Sequence, residues 1–264
     1  RFSDLFTFGS CGEPLCLGRV LDGGTWAGAS DVVMDPRNPK VLLATTWQRY
    51  RRTYGYIAGG PESALWRSTD GGDTWVKSQS GLPANGDMGR IGLAISPKNP
   101  DVVYAIVEAG PREGFFRSRD GGVSWQRMSD HSTIGLYYQE IFADPHDVDR
   151  VYSMDVRDMV TEDGGRSFRP LRGGNKHVDN HVMWIDPNDP DHLINGNDGG
   201  LYESFDRGMT WKFFANLPLT QFYRIELDNS TPFYRVYGGT QDNFSLGGPS
   251  RTRLSCCWSA SRRA

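Results

Sequence analysis

Apolar and polar residues along this chain fall into short blocks, and the blocks recur. Paired apolar runs flank a proline turn four times. Asp31–Met34 and Val41–Ala44 flank Asp35–Pro39; Ile91–Ile95 and Val102–Val107 flank Ser96–Pro100. Gln139–Ala143 and Arg150–Ser153 flank Asp144–Val148; Val182–Ile185 and His192–Ile194 flank Asp186–Pro190. A weaker fifth pair is Tyr223–Leu227 and Arg235–Gly238. Proline fixes φ, and Asn or Asp tolerates turn geometry. Short runs rich in β-branched and aromatic residues between such turns predict strands.

A second pattern shares this spacing. Ser68–Trp75, Ser118–Trp125, Thr161–Phe168 and Ser204–Trp211 each read Ser/Thr-x-Asp, then a glycine-containing turn, then Ser/Thr and an aromatic. Their aspartates, Asp70, Asp120, Asp163 and Asp206, are 50, 43 and 43 residues apart. Asp and Ser side chains can bond backbone amides a few residues on, and Gly supplies positive φ. Each copy therefore predicts strand, hairpin turn, strand. The closing aromatics, Trp75, Trp125, Phe168 and Trp211, share a register and are expected to pack inward. A unit of four antiparallel strands repeated every forty-odd residues predicts an all-β chain, a β-propeller of four-stranded blades. Five proline-turn pairs and four Asp–Gly turns predict about five blades over residues 20–250. Ring closure is left open. The repeated aspartates are scaffold on this reading, and chemistry belongs where the copies differ.

Composition changes this picture little. Of 264 residues, 32 are Gly and 15 Pro, which suits a turn-rich β chain. A net charge of −3 gives no general attraction to nucleic acid or anionic membrane. No stretch reaches transmembrane length. All four cysteines, Cys11, Cys16, Cys256 and Cys257, lie near the ends. Residues 1–19 and 251–264 carry no blade motif and are expected to be irregular. They suggest a segment of a longer protein with altered reading frame at one or both ends, or else divergent termini.

The Ser-x-Asp-x-Gly-x-Thr-Trp pattern resembles the Asp-box, or BNR repeat, of sialidase-like, xyloglucanase-like and sortilin-type propellers. Ala29–Pro36, Arg90–Ala94, Glu140–Pro145, Trp184–Pro187, Asn195–Gly200 and Gln241–Asn243 resemble bacterial secreted proteins described as glycosyl hydrolase-like or sortilin N-terminal-like. The resemblance implies a secreted or periplasmic protein. It also implies that the Asp–Gly turns face away from the ligand and that the other loops gather at the channel. It assigns no reaction, and fold alone does not carry function.

Three loop features are candidates. The stretch Trp47–Tyr56, with Trp47, Arg49, Arg51 and Tyr54, lies in the longest expected loop, residues 46–63; arginines among aromatics suit sugars, carboxylates or peptide termini. His177, Asp179 and His181 precede the fourth blade, and Asn197 and Asp198 follow its second strand. These five, with Asp242, are expected to form one polar cluster; Gln241 is a further ligand-binding candidate. Metal ligation by the histidines is disfavoured without a second ligand group, and no motif calls for a cofactor. Carboxylates on that face, Glu140, Asp179, Asp198 and Asp242, are candidates for a glycosidase pair, which needs a separation of about 5–5.5 Å or about 6.5–9.5 Å. No arginine triad of the sialidase kind is visible. The favoured expectation is a propeller that binds a glycan or peptide. The alternative is a glycoside hydrolase using two of Asp179, Asp198 and Asp242 as acid and base. Oligomeric state is not specified.

Overall fold

The computed structural model describes residues 5–9, 16–83, 88–217, 221–242, 245–251 and 259–261, with backbone alone at 5–9, 16–20 and 259–261. Five antiparallel sheets of four strands follow one another in chain order. The first blade contains Ala27–Met34, Leu42–Gln48, Ala64–Ser68 and Val76–Lys77. The second contains Ile91–Ile95, Val103–Val107, Gly114–Ser118 and Gln126–Ser129. The third contains Ile141–Ala143, Val151–Ser153, Met159–Thr161 and Arg169–Pro170. The fourth contains Asn180–Ile185, Leu193–Asn197, Gly200–Ser204 and Lys212–Phe213. The fifth contains Phe222–Leu227, Arg235–Thr240, Ser245–Pro249 and Ser259–Ser261. The architecture is a β-propeller arc; its sheets do not close into a ring.

Burial on both faces of a sheet explains the strongly apolar strands. Side chains alternate along a strand. Val103, Ala105 and Val107 pack with Leu43, Leu65 and Trp125 toward the first blade. Tyr104 and Ile106, between them in sequence, pack with Phe115, Ile141 and Val151 toward the third. Met154 and Val160 of the third blade meet Met183, Leu193 and Trp211 of the fourth. The core is thus a series of apolar layers between successive sheets.

The Asp–Gly turns repeat atom for atom. In each, the Ser or Thr hydroxyl bonds the Asp Oδ1 at 2.7–2.8 Å, and the hydroxyl four residues after the Asp bonds Oδ2 at 2.5–2.6 Å. The carboxylates of Asp70, Asp120, Asp163 and Asp206 are all lowered from the ordinary aspartate value. These turns dock on the proline turns of their own blades: the amides of Gly71, Gly121, Gly164 and Arg207 donate to the carbonyls of Lys40, Asp101, Asp149 and Asp191. Both repeated turns therefore occupy one end of each blade, here the turn end. The linkers leave the short fourth strands and lead to the other end, here the linker end.

The closing aromatics join blades. Trp125 Nε1 donates to Ser78 Oγ on the linker leaving the first blade, at 2.9 Å. Phe168 stacks on His131 of the second linker, ring centres 3.7 Å apart. Trp211 Nε1 donates to the Arg172 carbonyl of the third at 3.4 Å. Trp125 and Trp211 are buried; Phe168 and Trp75 are half-buried. Trp75 bonds its own Gly72 carbonyl instead of an earlier linker.

One expectation is corrected. The long loop after Gln48 is itself a hairpin, Tyr50–Arg52 against Gly55–Ile57, because Thr53-Tyr54 form a tight turn between extended residues. Ser245–Pro249 pairs with Arg235–Thr240 despite having no Asp–Gly turn. Near the ends, extended backbone pairs Leu5–Gly9 with Cys16–Leu21 and Ser259–Ser261 with Ser245–Gly247. Backbone pairing requires no side-chain alternation, so composition alone does not rule it out.

Candidate functional site

The linker end carries a chain of polar contacts that crosses all five blades. Trp47 begins it. Its ring faces the guanidinium groups of Arg49 and Arg90, 5.0 and 5.6 Å from the ring centre, and its Nε1 is held by the Ala58 carbonyl at 2.9 Å. Arg90 immediately precedes the first strand of the second blade. It donates through Nη2 to Glu140 and through Nη1 to the Tyr138 carbonyl at 2.9 Å. Tyr138 is buried, and its hydroxyl donates to Asp179 Oδ1 at 2.7 Å. Its ring stacks on His181 with centres 5.4 Å apart.

The fourth blade supplies the centre of the chain. Asp179 takes a left-handed backbone, φ 62°, which turns the linker into the strand that starts at Asn180. The Asp198 amide donates to the Asp179 carbonyl at 3.2 Å. His181 Nε2 lies 3.1 Å from Asp198 Oδ1. Asn197 bonds Asn195 Oδ1 through its amide and accepts from Gly199 N, both at 2.9 Å. His177 Nε2 lies 3.2 Å from the Asp242 carbonyl, reaching the fifth blade. Asp242 also has a left-handed backbone, φ 56°, and Gln241 Oε1 accepts from Gln221.

The structure therefore brings His177, Asp179, His181, Asn197 and Asp198 to one end of one blade, with Asp242 joined through its main chain. Gln241 lies on that turn. Trp47 and Arg49 belong to the other limb of the same chain. Arg51 and Tyr54 are instead exposed on the projecting hairpin.

Burial shapes the acid–base character here. It pushes the Asp155 carboxyl up, opposed by the Val156 amide and reinforced by the Asp179 charge. Burial also raises Glu108, whose Oε2 accepts from Arg90 N at 3.1 Å. The Tyr138 phenol is raised by burial and then by its bond to Asp179. Among the described residues, no three His, Cys, Asp or Glu side chains converge as a metal would require.

Sequence reasoning missed Arg90 and Tyr138, which connect the two limbs. It also missed a buried cluster beneath the fourth blade: Lys176 Nζ lies 3.1 Å from Asp158 Oδ2, bonds Asn180, and sits 3.2 Å from Asn195 Oδ1. The available signal was position, since Arg90, Tyr138 and Lys176 all stand just before a first strand.

No protein-family model matches the chain, and no curated protein matches it. Among solved structures, a Niastella koreensis GH74 enzyme is similar at 18% identity with TM-score 0.53, covering 88% of this chain and 38% of that one. An ancestral GH74 enzyme is similar at 15% identity with TM-score 0.51, covering 88% of this chain and 31% of that one. These likenesses support the propeller fold. The chain spans about a third of the length of those enzymes.

Proposed function

We propose that this chain belongs to an Asp-box (BNR-type) propeller, secreted or periplasmic, that binds a glycan or peptide at its linker end. The observation that supports this most is the contact chain from Trp47 through Arg90 and Tyr138 to Asp179, His181 and Asp198. It sets aromatic faces beside charged donors and acceptors, the combination that orients polar ligands. Asp179 and Asp198 are each engaged, by the Tyr138 hydroxyl and by His181. That arrangement suits recognition better than a free acid–base pair.

A hydrolase reading keeps one specific support. Asp155 is raised by burial and by the Asp179 charge, and a carboxyl held up by burial suits a general acid. A glycan and peptide binding panel on the chain, repeated with Asp179→Asn, Asp198→Asn and Asp242→Asn, tests the proposal. Expected is binding that the first two variants weaken at unchanged melting temperature. Binding untouched by all three, or no binding in the panel, rejects it. Release of reducing ends that Asp155→Asn abolishes favours the hydrolase.

A further inference from the structure

The fourth Asp–Gly turn departs from its siblings at one position. Asp70, Asp120 and Asp163 are followed by Gly71, Gly121 and Gly164, all at positive φ; Asp206 is followed by Arg207, at φ 56°. Glycine adopts this conformation without steric penalty, and a long side chain does not. The arginine is therefore locally unfavourable, and such an outlier at a repeated position calls for a reason. Arg150 is a second departure. The amides of Asp35, Ser96 and Asp144 donate to the carbonyls of Val41, Val102 and Arg150, so Arg150 holds a place that is valine in the first two blades.

Both arginines line one cleft of about 640 Å³ between the third and fourth blades, at the turn end. Arg169, Arg172, Glu162 and Phe205 line it too. Glu162 is bracketed by Arg150 at 2.6 Å and Arg169 at 2.9 Å, and Arg207 Nε meets Asp191 at 2.6 Å. Arg172 has no carboxylate partner among the described residues, and Arg150 Nε is buried without an acceptor. Four guanidinium groups thus face three carboxylates, of which Asp206 is held within its own turn. Phe205 is 62% exposed and stacks on His192, which fixes its ring beside the arginines.

We propose that this cleft binds an acidic sugar, its carboxylate or sulfate held by the arginines and its ring laid against Phe205. Guanidinium groups offer paired N–H donors to the oxygens of a carboxylate or a tetrahedral oxyanion. The cleft is separate from the linker-end site, so neither proposal depends on the other.

Calorimetric titration of the whole chain with trigalacturonate, a sulfated galactose oligomer and neutral cellotriose tests this. Binding of one or both acidic sugars, weakened by salt, with none of cellotriose, is expected; which acid binds identifies the anion. Arg207→Gly restores the pattern of the other three turns, so it is expected to keep or raise the melting temperature while weakening binding at least tenfold. Arg150→Val is expected to weaken it similarly. Failure of both acidic sugars to bind, equal binding of cellotriose, or full binding by Arg207→Gly overturns the proposal.

Discussion

A carboxylate that accepts several donors resists protonation, and Asp163 illustrates this. Burial disfavours its charge, but bonds from Ser167, Thr161 and Arg166 N outweigh burial and hold its pKa down to about 2. Its contribution to stability is present above the ordinary aspartate value and is lost as pH falls through about 2. Asp163→Asn is expected to cost about 1–2 kcal/mol at pH 7 and to flatten the loss of stability below pH 4, read by urea denaturation across that range. His131 behaves in the opposite chemical sense. Burial lowers it to about 4 despite Asp130, so the unfolded chain takes the proton first. Stability is full above about pH 6.5 and falls as pH drops toward 4. His131→Phe, which keeps an aromatic face for Phe168, should remove that slope. His192 is raised: burial pulls it down, but bonds to Asp186 and Glu203 outweigh this. Its contribution is present below about 6.5 and fades as pH rises through the raised value. Imidazole titration by NMR should place His192 above and His131 below the free value.

Within single elements, identical motifs differ in energetic weight. Trp211 is buried against the third linker, whereas Trp75 is half-buried and bonds only its own turn. Trp211→Ala is expected to cost about 3–5 kcal/mol and Trp75→Ala less than half that, measured by denaturant midpoint. The register of these aromatics was legible in the sequence because it follows from the Asp–Gly turn. Their burial was not, because it depends on which linker lies opposite. The Lys176–Asp158 pair was illegible for the same reason: its members are 18 residues apart and meet only after blades stack. Lys176→Ala leaves a buried carboxylate without its cation and should cost about 3–5 kcal/mol; pairing it with Asp158→Asn should recover part of that loss.

Across the whole molecule, repetition made the architecture readable and the departures from it hard to read. Four blades announce themselves through paired turns; the second half of the fifth lacks the Asp–Gly signal, and only its hydrogen bonds reveal it. The linker-end chain was half legible. His177, Asp179, His181 and Asp198 stand close in sequence, whereas Arg90 joins them from another blade through Tyr138. The fifth blade also leaves Ile225 and Leu227 exposed on its first strand. Exposed apolar strands favour association, so the isolated chain is expected to self-associate with concentration, and Ile225→Lys with Leu227→Lys should reduce this in sedimentation velocity. One further consequence follows from where the closing aromatics reach. Each blade from the second to the fourth carries the side chain that covers the linker of the blade before it. A chain emerging from the ribosome would therefore expose the first linker until Trp125 arrives, and the third until Trp211 arrives. Folding would trail synthesis by about one blade, and a stall just ahead of an aromatic would present an uncovered linker to chaperones and proteases.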